Sequence, residues 1–257
     1  MQPSTIGGIN QLPEAEKRAI YARYIPKELT ERFHLPPLTD RQDLLQFRFA
    51  EGSSDVEMRV YHQPGFQDPV LYAHLADTLN GQIHVLLYIL NDPESPRFDV
   101  DRMSDGSPTR FGTLKRNLEA EKAALEYGLA PGQVRRGLHL LRPATAAFEQ
   151  FVASLGHELY FIEPLYYHNA VISERYGFAY QKGKRRMEAI HAGFQPGGEY
   201  HHLDGSNPFR SADAANSIRL RSWAIHDGIL GEPFTDVTMY KRIGKHAEIS
   251  TTPGCEW

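Results

Sequence analysis

Between Leu44 and Leu90, apolar residues return at every second position through LLQFRFA (44–50), VEMRVYH (56–62), VLYAHLADTL (70–79) and QIHVLLYIL (82–90). A period of two puts alternate side chains on opposite faces, so each stretch predicts a strand. Asn80-Gly81 predicts a hairpin turn between the last two, because both residues tolerate positive φ. RFDVDRM, 97–103, continues the alternation as a further strand, with Phe98 and Val100 on one face and Asp99 and Asp101 on the other. Ahead of this meander, residues 12–34 carry Ile20, Tyr21 and Tyr24 at helical spacing, and Pro36-Pro37 ends the segment.

After residue 103 the period lengthens. Thr113 is the expected N-cap of LKRNLEAEKAALEY and Gly128 its stop, since glycine enters the left-handed region without steric cost. In the stretch 130–156, Pro143 leaves two readings open: one kinked helix, or a shorter element followed by a helix starting near Pro143. HELYFIEPL then predicts a strand, LYYHNAVISER a short helix, and FAYQKG a strand after the Tyr176-Gly177-Phe178 turn. A helix KRRMEAIHAGF, a Gly/His/Pro-rich loop at 195–210, a helix about Ala212–Ile229 and the alternating strand FTDVTMYKRI complete the chain. The pattern predicts an α/β fold with a mixed, mostly antiparallel sheet flanked by helices. It divides into an N-terminal helical extension, 1–43, and a domain over 44–257 that carries a helical insertion at about 183–233.

Composition narrows the classes. At 257 residues, 41% hydrophobic and 23% charged with a net charge of −4, the chain has the balance of an ordinary globular protein. The basic run Lys182, Lys184, Arg185 and Arg186 is local and reads as a solvated surface, so no nucleic-acid partner is expected. One cysteine, Cys255, excludes an internal disulfide framework and a cysteine-based zinc site. The N-terminus lacks the basic start and apolar core of a secretory signal, and the longest apolar run, Val85–Leu90, is too short to span a bilayer. A cytoplasmic protein without a membrane partner is the expectation.

The order of strands, glycine-ended helix, strand, short helix, aromatic-Gly-Phe turn and closing strand resembles the GNAT family of acyl-CoA-dependent N-acyltransferases, over roughly Leu44–Lys182 plus the last strand. Gly177-Phe178 matches the family's Gly-Phe at the start of a strand. The stretch Gln133, Val134, Arg135, Arg136, Gly137, Leu138, His139 is similar to the family's glycine-containing loop before a helix, although Gln133 stands four residues before Gly137 where the family has three. The resemblance implies a GNAT-like fold, acetyl-CoA or another acyl-CoA as co-substrate, and an amine of a small molecule or a protein as acceptor. It also implies that Gln133, Arg135, Arg136, Gly137, Leu138 and His139 hold the coenzyme A diphosphate. A helix N-terminus suits that task through unpaired N–H donors and a positive dipole end.

The family's carboxylate base on the preceding strand implies Asp99 or Asp101 in that role. The proton donor to the departing thiolate is a tyrosine four residues before the glycine; here that position is Ser173, leaving Tyr176 or Tyr167 as substitutes. As packing residues, Asp99 and Asp101 would be a solvated strand face and Tyr176 an aromatic core contact. Two other function classes remain open: a GNAT-like scaffold that binds a ligand or partner without transfer, and a metal-dependent enzyme using Glu199, His201, His202 and Asp204. The second is disfavoured because adjacent histidines in an extended loop point apart, so no metal is expected. Trp223, His226 and Asp227 either line a substrate pocket or form a helix packing pair. The insertion carries either a lid or a homodimer contact.

Overall fold

The computed structural model describes the chain apart from residues 1–2, 51, 110–114, 201–202, 204 and 206. The first 43 residues fold as α1 (Ile6–Asn10), α2 (Glu14–Tyr21), a 3-10 turn at Ala22–Tyr24 and α3 (Lys27–Arg32). They are sewn to the sheet by polar contacts. Asp77 accepts from the Ile6 and Gly7 amides at 2.7 and 2.8 Å, and buried Arg18 donates to the carbonyls of Thr39, Leu38 and Leu45. Ile6, Ile9, Tyr21, Tyr24 and Leu29 join the same apolar cluster as the strands, so this segment supplies one wall of the core.

All four alternating stretches form strands: β1 (Leu45–Arg48), β2 (Asp55–Val60), β3 (Leu71–Asp77) and β4 (Ile83–Leu90). Val56, Met58 and Val60 on β2 and Leu71, Ala73 and Leu75 on β3 are buried, while the residues between them are half-exposed. That is the burial of an antiparallel sheet covered on one face. The β3–β4 turn differs from the expectation in detail: Thr78 N donates to the Gln82 carbonyl, and only Gly81 takes positive φ, at 74°. Asn80 keeps an ordinary φ because the extra residue Leu79, fully exposed at the tip, lengthens the loop.

Three further strands, β5 (Leu159–Ile162), β6 (Ala179–Lys182) and β7 (Thr238–Arg242), complete a seven-stranded sheet of order β1-β2-β3-β4-β5-β7-β6. Every neighbouring pair is antiparallel except β4 with β5. This is the mixed, mostly antiparallel sheet the alternation predicts. The remaining helices are α4 (Leu118–Glu126), α5 (Leu141–Ser154), α6 (Tyr167–Arg175), α7 (Lys184–Gly193) and α8 (Ile218–His226).

Several expectations are corrected. Residues 97–103 form turns instead of a strand, because Arg97 draws Asp99 and Asp101 to itself and the stretch gains only the isolated bridge Arg102↔Pro108. Thr113 lies outside the described residues; helix α4 starts at Leu118, where the Asn117 side chain accepts from the Ala120 amide. The 130–156 stretch resolves into a loop followed by a helix, with Pro143 in the first turn of α5, where its missing N–H has no partner to lose. The Ala212–Ile229 helix is a 3-10 turn at Ala212–Ala215 followed by the shorter α8.

The Tyr-Gly-Phe turn is a helix stop. Gly177 has φ 81°, its amide donates to the Glu174 carbonyl and the Phe178 amide to Ser173. A Cβ on Gly177 would come within 2.9 Å of His246 atoms, backbone included, whereas Gly156, also left-handed, has open space around it. Gly156→Ala should therefore cost roughly 1 kcal/mol from backbone strain alone. Gly177→Ala should cost about 3 kcal/mol, the excess coming from overpacking. Urea unfolding of both variants checks this; equal losses would mean that His246 yields freely.

Candidate functional site

The parallel pair of strands is where regular hydrogen bonding stops. β4 and β5 register at only two positions, His84↔Phe161 and Val85↔Ile162, although β4 runs on to Leu90. The cause lies next to the last shared pair. Leu75 faces Val85 but His74 faces Leu87, so Leu86 is an extra residue that bulges β4. Beyond the bulge the strands part, and Leu86–Leu90 stay half-exposed in a strand at the middle of the sheet.

The gap is lined by backbone. Asn91 N donates to the Val70 carbonyl at 3.1 Å, which sets the phase of the β3–β4 ladder. Since bonded and non-bonded pairs alternate in an antiparallel ladder, Leu87 and Ile89 bond to β3, and the N–H and C=O of Tyr88 turn toward the missing β5. At the start of the gap the His84 Nε2 atom is shielded and unpaired; burial lowers the pKa of this imidazole despite the opposing charge of Glu163.

At the far end of β4 the loop 133–140 closes the opening. It is strung along the chain leaving β4: Asp92 N donates to the Arg136 carbonyl at 2.8 Å, Phe98 N to Val134, and Arg136 N to Ser95 Oγ. Then the backbone changes direction at His139, whose φ is 57°, and enters α5 with no side-chain cap and no acidic residue in the first turn. The amides of Gly137, His139, Leu140, Leu141 and Arg142 have no hydrogen-bond acceptor among the described residues. An uncapped N-terminus of 14 residues is a positive dipole end with donors to spare.

The predicted loop residues divide by role. Arg136 and His139 are exposed at this end, together with Arg142, and Leu138 is buried as an anchor. Arg135 is committed elsewhere: it is buried, bonds Asp68 at 2.8 Å and donates to the Ser95 carbonyl. Gln133 Oε1 accepts from the Ala130 amide and shapes the turn before the loop. A residue that sequence reasoning missed also arrives: Arg32, at the end of α3, donates from Nη1 to the Leu138 carbonyl at 3.2 Å. Nothing local ties it to a loop more than one hundred positions away, so no periodicity could have found it.

The carboxylates Asp99 and Asp101 are both held by the Arg97 guanidinium, which also binds Asp68. They are brought together on an exposed arginine-neutralised knot instead of on a strand facing a cleft. Tyr176 is the C-cap of α6 and its ring packs against the main core. Ser173 Oγ donates back to the Asn169 carbonyl, and the buried Tyr167 hydroxyl accepts from Arg221 at 3.1 Å. Burial pushes the Tyr167 phenol up to about 12.

A second polar cluster joins the segment after β4 to the segment before β7. Buried Glu121 on α4 accepts from Arg116 and faces His226 Nε2 on α8 at 3.1 Å; Arg116 also binds Asp227 at 2.9 Å, and Arg210 and Asn207 complete the Asp227 carboxylate. Burial alone would raise the Glu121 pKa, but the hydrogen bonds from His226 and Arg116 outweigh it and hold the carboxyl below its ordinary value. Below this network a small apolar cluster packs Trp223 against Phe209, with the indole N–H donating to the Leu129 carbonyl. Thus Trp223 is a packing residue, while His226 belongs to the charged network.

Tyr166 links this cluster to the gap. It stands four residues beyond β5, its ring lies 5.7 Å from both the His168 and His226 rings, and it fills the space a Cβ on Gly132 would need, one residue before the loop. His168 is buried, with Nδ1 2.8 Å from Ser222 Oγ. Burial, helped by His226, pushes its pKa down to about 3.

Concavities elsewhere are of another kind. One of about 290 Å³ is mostly apolar and lined by Ala22, Ile25, Thr30 and Leu35–Leu38; one of about 190 Å³ lies beside Gly177, Tyr240 and His246. Among the described residues no group of three or more His, Cys, Asp or Glu is arranged to hold a metal ion; His201, His202 and Asp204 lie outside those residues. No helix of the described residues is long and apolar enough to cross a membrane. Compared with protein-family models, curated proteins and solved structures, the chain matches none.

The buried His168 gives a pH signature. Its folded pKa lies below the unfolded value of about 6.5, so the unfolded chain takes the proton first and stability falls as pH drops below that value, by about 1.4 kcal/mol per unit. Unfolding free energies of the wild type and His168→Gln, measured between pH 7.5 and 5, should differ by this slope. Parallel curves would show that His168 can be charged in place.

Proposed function

We propose that this chain is an acyl-CoA-dependent N-acyltransferase of GNAT type, moving an acetyl or other acyl group from a coenzyme A thioester to an amine of a small molecule or protein. The observation that carries the reading is the parting of the parallel strands β4 and β5 beside an uncapped helix N-terminus. In this reading the amide-bearing arm of the donor takes the place of β5 beside Tyr88, making the bonds the sheet leaves open. The diphosphate sits at the free amides of Gly137 and His139–Arg142, with Arg136, Arg142 and Arg32 supplying positive charge. Arg135 and Gln133 act behind them by holding the loop's shape.

An amine must lose a proton to attack the thioester carbonyl. His226 is the residue suited to this. Glu121 is anionic and orients the imidazole; with Nε2–H donating to it, the lone pair lies on Nδ1. Asp99 and Asp101 are neutralised by Arg97 and serve the fold. The amine nitrogen then bonds to the carbonyl carbon, the carbon–sulfur bond breaks, and the thiolate leaves.

A second reading, a GNAT-like binding protein without transfer, is favoured by two observations: Ser173 occupies the proton-donor position with its hydroxyl turned to its own helix, and Arg135 is committed to Asp68. Titration calorimetry with coenzyme A, followed by thiol release from acetyl-CoA with a panel of amines, separates the two. Binding with turnover supports transfer, binding without turnover supports the second reading, and no heat at millimolar ligand ends the acyltransferase reading. In an active protein His226→Gln should lower kcat about a hundredfold with coenzyme A affinity unchanged. Asp99→Asn and Asp101→Asn should stay within about threefold of wild type, and Arg136→Ala should weaken coenzyme A binding about fivefold through one lost phosphate contact.

A further inference from the structure

Two phenols beside the strand gap are badly matched to a purely structural role. The hydroxyls of Tyr24 and Tyr88 are both shielded from solvent and meet no hydrogen-bond partner among the described residues. An unpaired buried hydroxyl costs roughly 1–3 kcal/mol, and phenylalanine would fill the same volume without that cost.

Their placement is specific. Tyr88 lies past the point where β5 leaves β4, on the face of Ala73, its small cross-strand neighbour. The residue is partly exposed while its hydroxyl oxygen is shielded, so the side chain leads inward from the gap. Tyr24, wholly buried, reaches the same region from the 3-10 turn after α2, its ring edge-on to Phe148 at 5.6 Å and Phe151 at 5.0 Å. Tyr160 on β5 packs on Phe148 from the other side, at 4.9 Å. Burial above all, and then Tyr21 and Tyr88, raises the pKa of Tyr24; burial, then Glu149 and Tyr88, raises that of Tyr160; burial alone raises that of Tyr88. These groups therefore stay protonated and can donate.

What they could receive follows from their surroundings. Lys241, paired across the strands with Tyr160, is held by Glu149 at 3.5 Å and by the Lys245 carbonyl, so it is already engaged and does not balance a further buried anion. A carboxylate brought here would lose its hydration uncompensated. A neutral oxygen would not. We propose that the inner end of the gap is a polar acyl subsite: the donor's acyl chain carries a neutral oxygen, hydroxyl or carbonyl, beyond the thioester, and the Tyr24 and Tyr88 hydroxyls bind it.

This inference rests on the acyltransferase reading, and its test separates the two. Calorimetry compares coenzyme A, hexanoyl-CoA and 5-oxohexanoyl-CoA on the wild type, Tyr24→Phe, Tyr88→Phe and the double variant. The wild type should bind the oxo-acyl donor about tenfold more tightly than the plain one. The preference should fall in each single variant and vanish in the double variant, while coenzyme A still binds because phenylalanine keeps the Tyr88 backbone groups that face the donor's arm. In the free protein, the phenylalanine variants should melt at or above the wild-type temperature, since each removes an unsatisfied group. Coenzyme A binding without any wild-type preference, or a preference that survives both substitutions, overturns the subsite and leaves the acyltransferase reading standing. A clear drop in melting temperature overturns it too, because the hydroxyls would then be satisfied within the fold. If coenzyme A itself does not bind, both fall together.

Discussion

A strand in the middle of a sheet must hand its backbone hydrogen bonds to a neighbour on each side, and β4 stops doing so after two shared positions with β5. The Leu86 bulge shifts the ladder at the place where the partner is lost, so the departure is built into the sheet. Unpaired N–H and C=O groups are costly wherever water cannot reach them. The half-exposure of Leu86–Leu90 is how the protein meets that constraint. Much of the rest of the molecule can be understood as material arranged around this opening.

Three separate stretches of chain surround it. The N-terminal helices supply a core wall through Tyr21 and Tyr24 and bring Arg32 to the loop. The segment between β4 and α5 provides the loop and α4; the segment between β6 and β7 provides α8. These last two are clamped by the Arg116–Glu121–His226–Asp227 network and by the Trp223 indole N–H on the Leu129 carbonyl. A buried charge network of this sort is a weak source of net stability but a strong source of geometric definition, because losing one member strands the others. Its effect is to hold an imidazole and a carboxylate in fixed relation near Tyr166, between the insertion and the gap.

Charge distribution sorts the candidates that residue type alone could not. Asp99 and Asp101 had the right chemistry and the wrong neighbour, since Arg97 closes on both. Arg135, chemically an ideal phosphate ligand, is satisfied by Asp68 and two carbonyls. Its neighbour Arg136 stays exposed, with its guanidinium over the Tyr127 ring at 5.1 Å. Adjacent arginines thus serve different purposes, one locking the loop and one facing outward.

Local pattern in the sequence was sufficient for many of the elements. Alternation placed the four-strand meander, and Pro143 offered a helix start as one of two readings, because period and backbone preference act within a few residues. RFDVDRM shows the limit: its alternation is as regular as that of a strand, yet ion pairing to Arg97 won over pairing in a ladder. The candidate site lay beyond that reach. The two-position register of β4 with β5, the meeting of Glu121 with His226, the arrival of Arg32 and the isolation of two tyrosine hydroxyls all depend on residues distant in the chain. Only the folded packing decides which charges are already spent and which backbone groups are left open.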